Sequence, residues 1–276
     1  MLNFKYNTFG MDKLILCLMV PLVLASCKDD TVEVDTLEDG LVAYFPFDGS
    51  ALNQTIGPDG ELEGGIVFGD DRNGEFNKAL ALDGVNDYVE IPHDPAVNFG
   101  VDQDFAVSLW LQFGEQLYLE NIDNDVLSKW CDQEGNCISY PFVVRVYNTT
   151  DSTSEYIRKG GLTCARFSNL DDFFSECSIS SFLRDTVNLM DESFHHVLFM
   201  KESTLLYLYV DGQKVGQVAD ASGDNSICTT RNTAPLRVGV RNPESTNAKN
   251  WFAGKVDELR IYNRALSEQE INALSK

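Results

Sequence analysis

Residues 105–113 read Phe-Ala-Val-Ser-Leu-Trp-Leu-Gln-Phe, and their alternation decides the architecture. Phe105, Val107, Leu109, Leu111 and Phe113 fall on one face, while Ala106, Ser108, Trp110 and Gln112 fall on the other. Successive side chains of a strand point to opposite faces, so the segment is a strand and not a helix. Working outward, residues 205–210 (LLYLYV) run into Asp211-Gly212 and then Gln213-Lys214-Val215. Asp and Gly tolerate the positive φ of a type I′ turn, which makes this a hairpin. Leu236, Val238 and Val240 alternate with Arg237, Gly239 and Arg241 as a further strand pattern, and Tyr88-Val89-Glu90-Ile91 is another, stopped by Pro92. Helical period is clear only near the end, where Ser267-Glu268-Gln269-Glu270 forms a capping box ahead of Ile271 and Leu274. Many short strands and one terminal helix predict an all-β sandwich.

The near-terminal stretch 252–266 (FAGKVDELRIYNRAL) contains an irregularity. Phe252 and Val256 are followed by Leu259 and Ile261, so the alternation slips by one residue. A β-bulge at Asp257-Glu258 accounts for the slip and re-aims a carboxylate, making it a candidate ligand.

Composition sets the limits. Hydrophobic residues make up 43% of the 276, enough for one large core, which excludes a disordered chain. Lys and Arg total 21 against 43 Asp and Glu, a net charge of −22, so the phosphate-neutralising surface of a nucleic-acid binder is not available on average.

The first residues read as an address. After Lys5 and Lys13, the apolar run 14–25 (LILCLMVPLVLA) would span only about 18 Å as a helix, too short for a bilayer but fitting a signal-peptide core. It ends Leu24-Ala25-Ser26-Cys27, which resembles a bacterial lipobox in which Cys27 is lipidated. Residues 1–26 are thus expected to be a lipoprotein signal peptide and 27–40 a solvated acidic tether. Residues 41–276 follow as a single domain. Lys28-Asp29-Asp30 resembles the export signal of surface-displayed lipoproteins of Bacteroidota, implying an outer-membrane lipoprotein exposed at the surface and touching the membrane only through its anchor. Five cysteines remain beyond Cys27. Their spacings suggest Cys131 with Cys137 and Cys164 with Cys177, leaving Cys228 over, with other pairings open. Zinc is disfavoured, because there is no CxxC and no clustered His.

The ordered motifs resemble the LamG-like domains, or laminin G-like jelly rolls, of the concanavalin A-like lectin/glucanase superfamily. They are residues 41–49 (LVAYFPFDG), 81–84 (ALDG) with 87–92 (DYVEIP), 105–111, His195-His196-Val197, 208–212 (LYVDG) and 252–266. The resemblance implies a two-sheet antiparallel jelly-roll sandwich whose first and last strands are adjacent. Two departures stand out. Phe194 occupies the position usually held by Trp before the His pair, and residues 114–193 exceed the usual connection, forming a Cys-containing insertion. Similar domains hold a structural Ca2+ where the first and last strands meet. That nominates Asp48 and Asp257, with Asp83 behind them.

For glycan binding the candidates are aromatics, since sugar rings stack on exposed rings while polar neighbours read their hydroxyls. They are Trp130, Tyr140, Tyr147 and Tyr156 in the insertion and Trp251 at a loop-to-strand join. Catalysis is not expected. A Glu-x-Asp-x-x-Glu string of glucanase type does occur, Glu33-Val34-Asp35-Thr36-Leu37-Glu38, but it lies in the tether with no cleft around it to desolvate an acid. No GxSxG accompanies His195-His196, and His93 sits in a loop with no nucleophile nearby in sequence. The expectation is a non-catalytic envelope lipoprotein displaying a module for carbohydrate. An envelope protein is the alternative partner and a glycoside hydrolase the second alternative.

Overall fold

The computed structural model describes, besides Met1, residues 37–113, 122–131, 138–148, 161–169, 178–185, 189, 191–220, 230–245 and 250–276. Contacts divide the chain into Met1–Thr31 and Val32–Lys276, and every element below lies in the second unit. In chain order the strands are β1 Leu41–Phe45, β2 Glu61–Glu63, β3 Val67–Gly69, β4 Ala79–Asp83, β5 Tyr88–Ile91, β6 Phe105–Phe113, β7 Ile122–Ser128 and β8 Ile138–Asn148. They continue with β9 Gly161–Asn169, β10 Ser178–Asp185, β11 Phe194–Glu202, β12 Leu205–Val210, β13 Gln213–Ala219, β14 Leu236–Val238 and β15 Ala253–Tyr262. Helix α1, Glu268–Leu274, closes the chain.

The strands form two antiparallel sheets. The first runs β13-β12-β11-β6-β15-β4-β3 with β1 also on β15; the second runs β10-β9-β8-β7-β14-β5-β2. The expected jelly-roll sandwich is therefore the observed fold. Segment 114–193 contributes β7 to β10, four neighbouring strands of the second sheet. The inward set read from β6 is fully buried or nearly so, and Phe105 packs among Phe99, Phe142 and Phe199 with ring centroids 5.1, 6.0 and 5.5 Å away. Each such side chain stabilises the fold by about 1.5–3 kcal/mol relative to exposure.

The bulge is where the alternation placed it. Asp257 pairs with Trp110 and Arg260 with Ser108, so two residues of β15 oppose one of β6, and Glu258 takes a φ of 54°. There β15 also changes its other partner: residues 253–256 pair with β4 and 259–262 with β1. The first and last strands are thus neighbours, Tyr44 opposite Arg260. The hairpin turn is equally regular, with Asp211 and Gly212 both at positive φ, 50° and 75°. Helix α1 begins at the capping box of Ser267 and Glu270 and buries Ile271 and Leu274 against Ala106, Leu198, Met200 and Tyr262 on the outer face of the first sheet. Trp110 Nε1 donates to the Leu274 carbonyl at 3.2 Å, pinning the helix end to that sheet.

Candidate functional site

The alternation that drives Val89, Ile91, Leu236, Val238, Phe142 and Val144 inward puts Tyr88, Glu90, Arg237 and Arg145 on the outer face of the second sheet, and the register shift between Tyr140 and Val143 in β8 brings Tyr140 to that face as well. Trp130 follows β7 onto this face. Its indole stacks on Tyr140 at 4.8 Å and 25°, and Tyr140 stacks on Phe167 at 5.7 Å. The Arg241 guanidinium lies 4.6 Å from the Trp130 ring and that of Arg145 5.7 Å. Both arginines pair with Asp125, which is fully buried: Arg145 Nε donates to Oδ1 at 2.9 Å and Arg241 Nε to Oδ2 at 3.1 Å. A buried carboxylate without such partners would be costly, so Asp125 fixes the two cations that frame the indole.

Beside Trp130 lies a hollow of about 280 Å³ lined by Cys131, Thr233, Ala234, Pro235, Arg237, Asn242 and Glu244. That is room for about one sugar ring, below the range of drug-sized pockets. Its wall is held by Asn232, whose side-chain amide donates to the carbonyls of Lys129 and Ser139, both at 2.8 Å. Arg237 Nε donates to Glu90 Oε2 at 2.8 Å. Behind the wall Lys129 is buried, its ammonium bonded to the Ala234 carbonyl and 3.1 Å from His93 Nδ1. Burial pushes the Lys129 pKa down to about 8, and burial together with the nearby ammonium pushes His93 down as well.

Of the aromatics named from sequence, Trp130 lines the hollow and is half-buried. Tyr140 needs correction as a ligand platform: it is only 2% exposed, and it acts as the backing on which Trp130 rests. Trp251 is half-buried on the same outer face, tilted against Tyr88 at 5.9 Å. Tyr147 has its backbone in β8, but its side chain, like all of Tyr156, lies outside the described residues.

The three carboxylates nominated for Ca2+ are each engaged separately. Asp48 Oδ2 pairs with Lys78 at 2.8 Å, Asp83 Oδ1 accepts from the amides of Val85, Asn86 and Asp87, and Asp257 Oδ2 pairs with Arg72 at 3.0 Å. Among the described residues no group of three His, Cys, Asp or Glu side chains is arranged to hold a metal, so these three do not converge. Cys27, Cys137 and Cys177 lie outside the described residues. Cys131 is buried in the wall of the hollow, and Cys164 is a fully buried free thiol whose pKa burial raises.

The histidine pair divides between two environments. His195 sits between Asp211 (2.8 Å) and Asp191 (3.0 Å), whereas His196 is fully buried against Trp110 with Nε2 2.8 Å from Ser108 Oγ. Ser108 is itself 1% exposed, so no substrate reaches that pair. A second hollow, about 600 Å³, opens on the outer face of the first sheet beside Arg72, Trp110, Gln112, Phe194 and Lys255.

Sequence reasoning missed Arg237, Arg241 and Lys129. The first two were visible as the outward residues of an alternating strand, but alternation alone does not say which outward residues meet an aromatic ring. Lys129, adjacent to Trp130, carried no signal for burial.

Residues 83–272 match the Laminin_G_3 family, described as the concanavalin A-like lectin/glucanases superfamily. The chain is 25% identical over 247 residues to Paraclostridial mosquitocidal protein 1 of Paraclostridium bifermentans, covering 86% of this chain but 17% of that protein. The crystal structure of that protein's binding domain is similar at a TM-score of 0.59 and 17% identity, over 87% of this chain and 52% of that one. Domain 4 of AbnA, a GH43 extracellular arabinanase from Geobacillus stearothermophilus solved in complex with arabinotriose, is similar at 0.53 and 17% identity, over 86% of this chain and 98% of that one. The binding domain of botulinum neurotoxin DC is also similar at 11% identity. Its complex with rat synaptotagmin II gives a TM-score of 0.57 over 86% of this chain and 51% of that one; its complex with SialylT gives 0.58 over 87% and 52%. The chain thus spans under a fifth of the curated relative it matches and about half of the toxin domains.

Proposed function

The chain belongs to the Laminin_G_3 family of the concanavalin A-like lectin/glucanase superfamily, and from that premise we propose that it is a non-catalytic carbohydrate-binding module on a cell-envelope lipoprotein. The observation that carries the reading is Trp130, backed by Tyr140, framed by Arg241 and facing a hollow whose polar wall is Thr233, Arg237, Asn242 and Glu244. An aromatic edge beside a few fixed donors and acceptors is how a protein reads a sugar ring. Arabinotriose in the arabinanase domain and SialylT in the neurotoxin domain are consistent with sugar binding on this fold. Glu244 is the one carboxylate lining the hollow, whereas glycoside hydrolysis ordinarily needs two facing carboxyl groups.

Anchoring through Cys27, the 27–40 tether and outward display at the outer membrane complete the proposal, supported by the sequence of residues 14–30. Loss of metabolic palmitate labelling in Cys27→Ala tests the anchor, and protease sensitivity of intact cells tests the display.

A polysaccharide and oligosaccharide array probed with the purified chain tests the binding. Wild type should retain at least one glycan, and Trp130→Ala should weaken it about tenfold or more. An array on which wild type and Trp130→Ala behave identically overturns the reading.

The second reading is a protein-binding module. It is favoured by Leu62, Val67 and Val85, exposed on or beside the edge strands β2 and β3 and in the β4–β5 turn, and synaptotagmin II in the neurotoxin complex is its precedent.

A further inference from the structure

We infer that the hollow beside Trp130 selects sugars bearing a carboxylate, hexuronates in the first instance, with Arg237 as the residue that recognises the acid. The inference rests on the glycan reading of that hollow and names its ligand class.

The chain as a whole carries −22, which repels anions at long range. Cations gathered at one hollow therefore act against the general field, at close quarters. Arg237 lines the hollow with a side chain only 12% exposed. Its fork is oriented from behind: Nε donates to Glu90 and Nη1 to the Arg241 carbonyl at 3.4 Å. Among the described residues no protein acceptor takes Nη2. Glu90, its carboxylate partner, is 38% exposed and occupies Nε alone. A guanidinium held in this way can meet a planar carboxylate with the geometry it prefers, which an ammonium cannot reproduce.

Lys129 adds the second observation. Its ammonium lies behind Ala234 and Cys131, both in the wall, and among the described residues no carboxylate pairs with it; its partners are a carbonyl and an imidazole nitrogen. Asp94 acts on it only from beyond ion-pair distance, so this buried cation favours an anion placed across the wall. Glu244, the one acid in the lining, is an exposed rim residue, so water screens its repulsion. A carboxylate on a sugar ring seated against Trp130 would supply both the missing acceptor and the missing counter-charge.

The test is titration calorimetry of the purified full chain with tetragalacturonate and tetramannuronate, each against its fully methyl-esterified form. The ester keeps the ring and removes the charge. Wild type should prefer at least one acid over its ester by about tenfold or more, the worth of one charged hydrogen bond. Arg237→Gln should bring acid and ester to within about threefold of each other, the acid losing more affinity than the ester. Arg237→Lys should keep part of the preference, and thermal melts establish that each variant is folded. Equal binding of acid and ester by wild type overturns the inference yet leaves the glycan reading standing, provided Trp130→Ala abolishes both. If neither form binds, while neutral oligosaccharides bind in a Trp130-dependent manner, the inference is overturned and the glycan reading survives. If no saccharide of either kind binds, both fall together.

Discussion

Arg72 reaches from the β3–β4 connection to lie 3.0 Å from Asp257, at the bulge where β15 exchanges β4 for β1. The Arg72 guanidinium also lies 4.8 Å from the Trp110 ring, so one side chain both covers the aromatic and pairs with the re-aimed carboxylate when it is ionised.

Burial pushes the Asp257 pKa up to about 7, with Glu258 adding to the rise and Arg72 opposing it. Between the unfolded value near 4 and about 7 the folded state holds a proton that the unfolded chain has lost, so this group's contribution to stability falls as pH rises through that window. Asp257→Asn should therefore gain on wild type by on the order of 1–2 kcal/mol between pH 5 and pH 8, a few degrees in Tm. Thermal melts at both pH values check this; a difference that does not change with pH contradicts it.

For Lys129 the sign is opposite. Its folded pKa of about 8 lies below the unfolded value near 10.4, so the buried charge costs stability below pH 8 and the cost is relieved between about 8 and 10.4. Lys129→Met should stabilise the fold by about 1 kcal/mol at pH 7, the loss of the Ala234 bond offsetting part of the gain, and the advantage should fade by pH 10. The His93 imidazole should meanwhile titrate closer to 6.5, readable by NMR.

Arg166 and Asp220 form a fully buried pair at 2.9 Å, with Arg166 Nη2 also donating to the Gly100 carbonyl and to Thr230, each at 2.9 Å. Asp220→Ala leaves the guanidinium buried without its counter-ion and should cost about 3–5 kcal/mol in urea denaturation. The double change Arg166→Met with Asp220→Leu removes both charges and should recover much of that loss.

Trp251 and Tyr88 form a second aromatic pair on the outer face that carries Trp130. If a polysaccharide lies along this face, Trp251→Ala should weaken long oligosaccharides several-fold and leave a mono- or disaccharide unaffected, whereas Trp130→Ala weakens both. Calorimetry against a length series separates the two. Equal loss at every length assigns Trp251 to the same ring as Trp130.

Much of the frame was legible because it depends on local periods. The inward phase of residues 105–113, the positive φ of Asp211-Gly212, the slip at Asp257-Glu258 and the box of Ser267 and Glu270 each follow from a few adjacent residues, and each stands in the structure. The site was legible only in part. Trp130 could be named because aromatic chemistry is visible in a residue's identity, but the burial of Tyr140 could not be read, because strand phase does not say whether an outward ring meets solvent or another ring. In the structure Phe167 and Trp130 cover it.

The sequence by itself determined that this chain forms a β sandwich with a capped terminal helix, because alternation, turn residues and caps act over a handful of neighbouring positions. Only the tertiary structure decided that Arg237 and Trp130 line one hollow with Lys129 buried behind its wall, and that Asp48, Asp83 and Asp257 each engage separate partners. Those outcomes depend on which strands lie side by side and which loops fold over them. Such long-range pairings are set by the packing of the whole core, and no short window of sequence contains them.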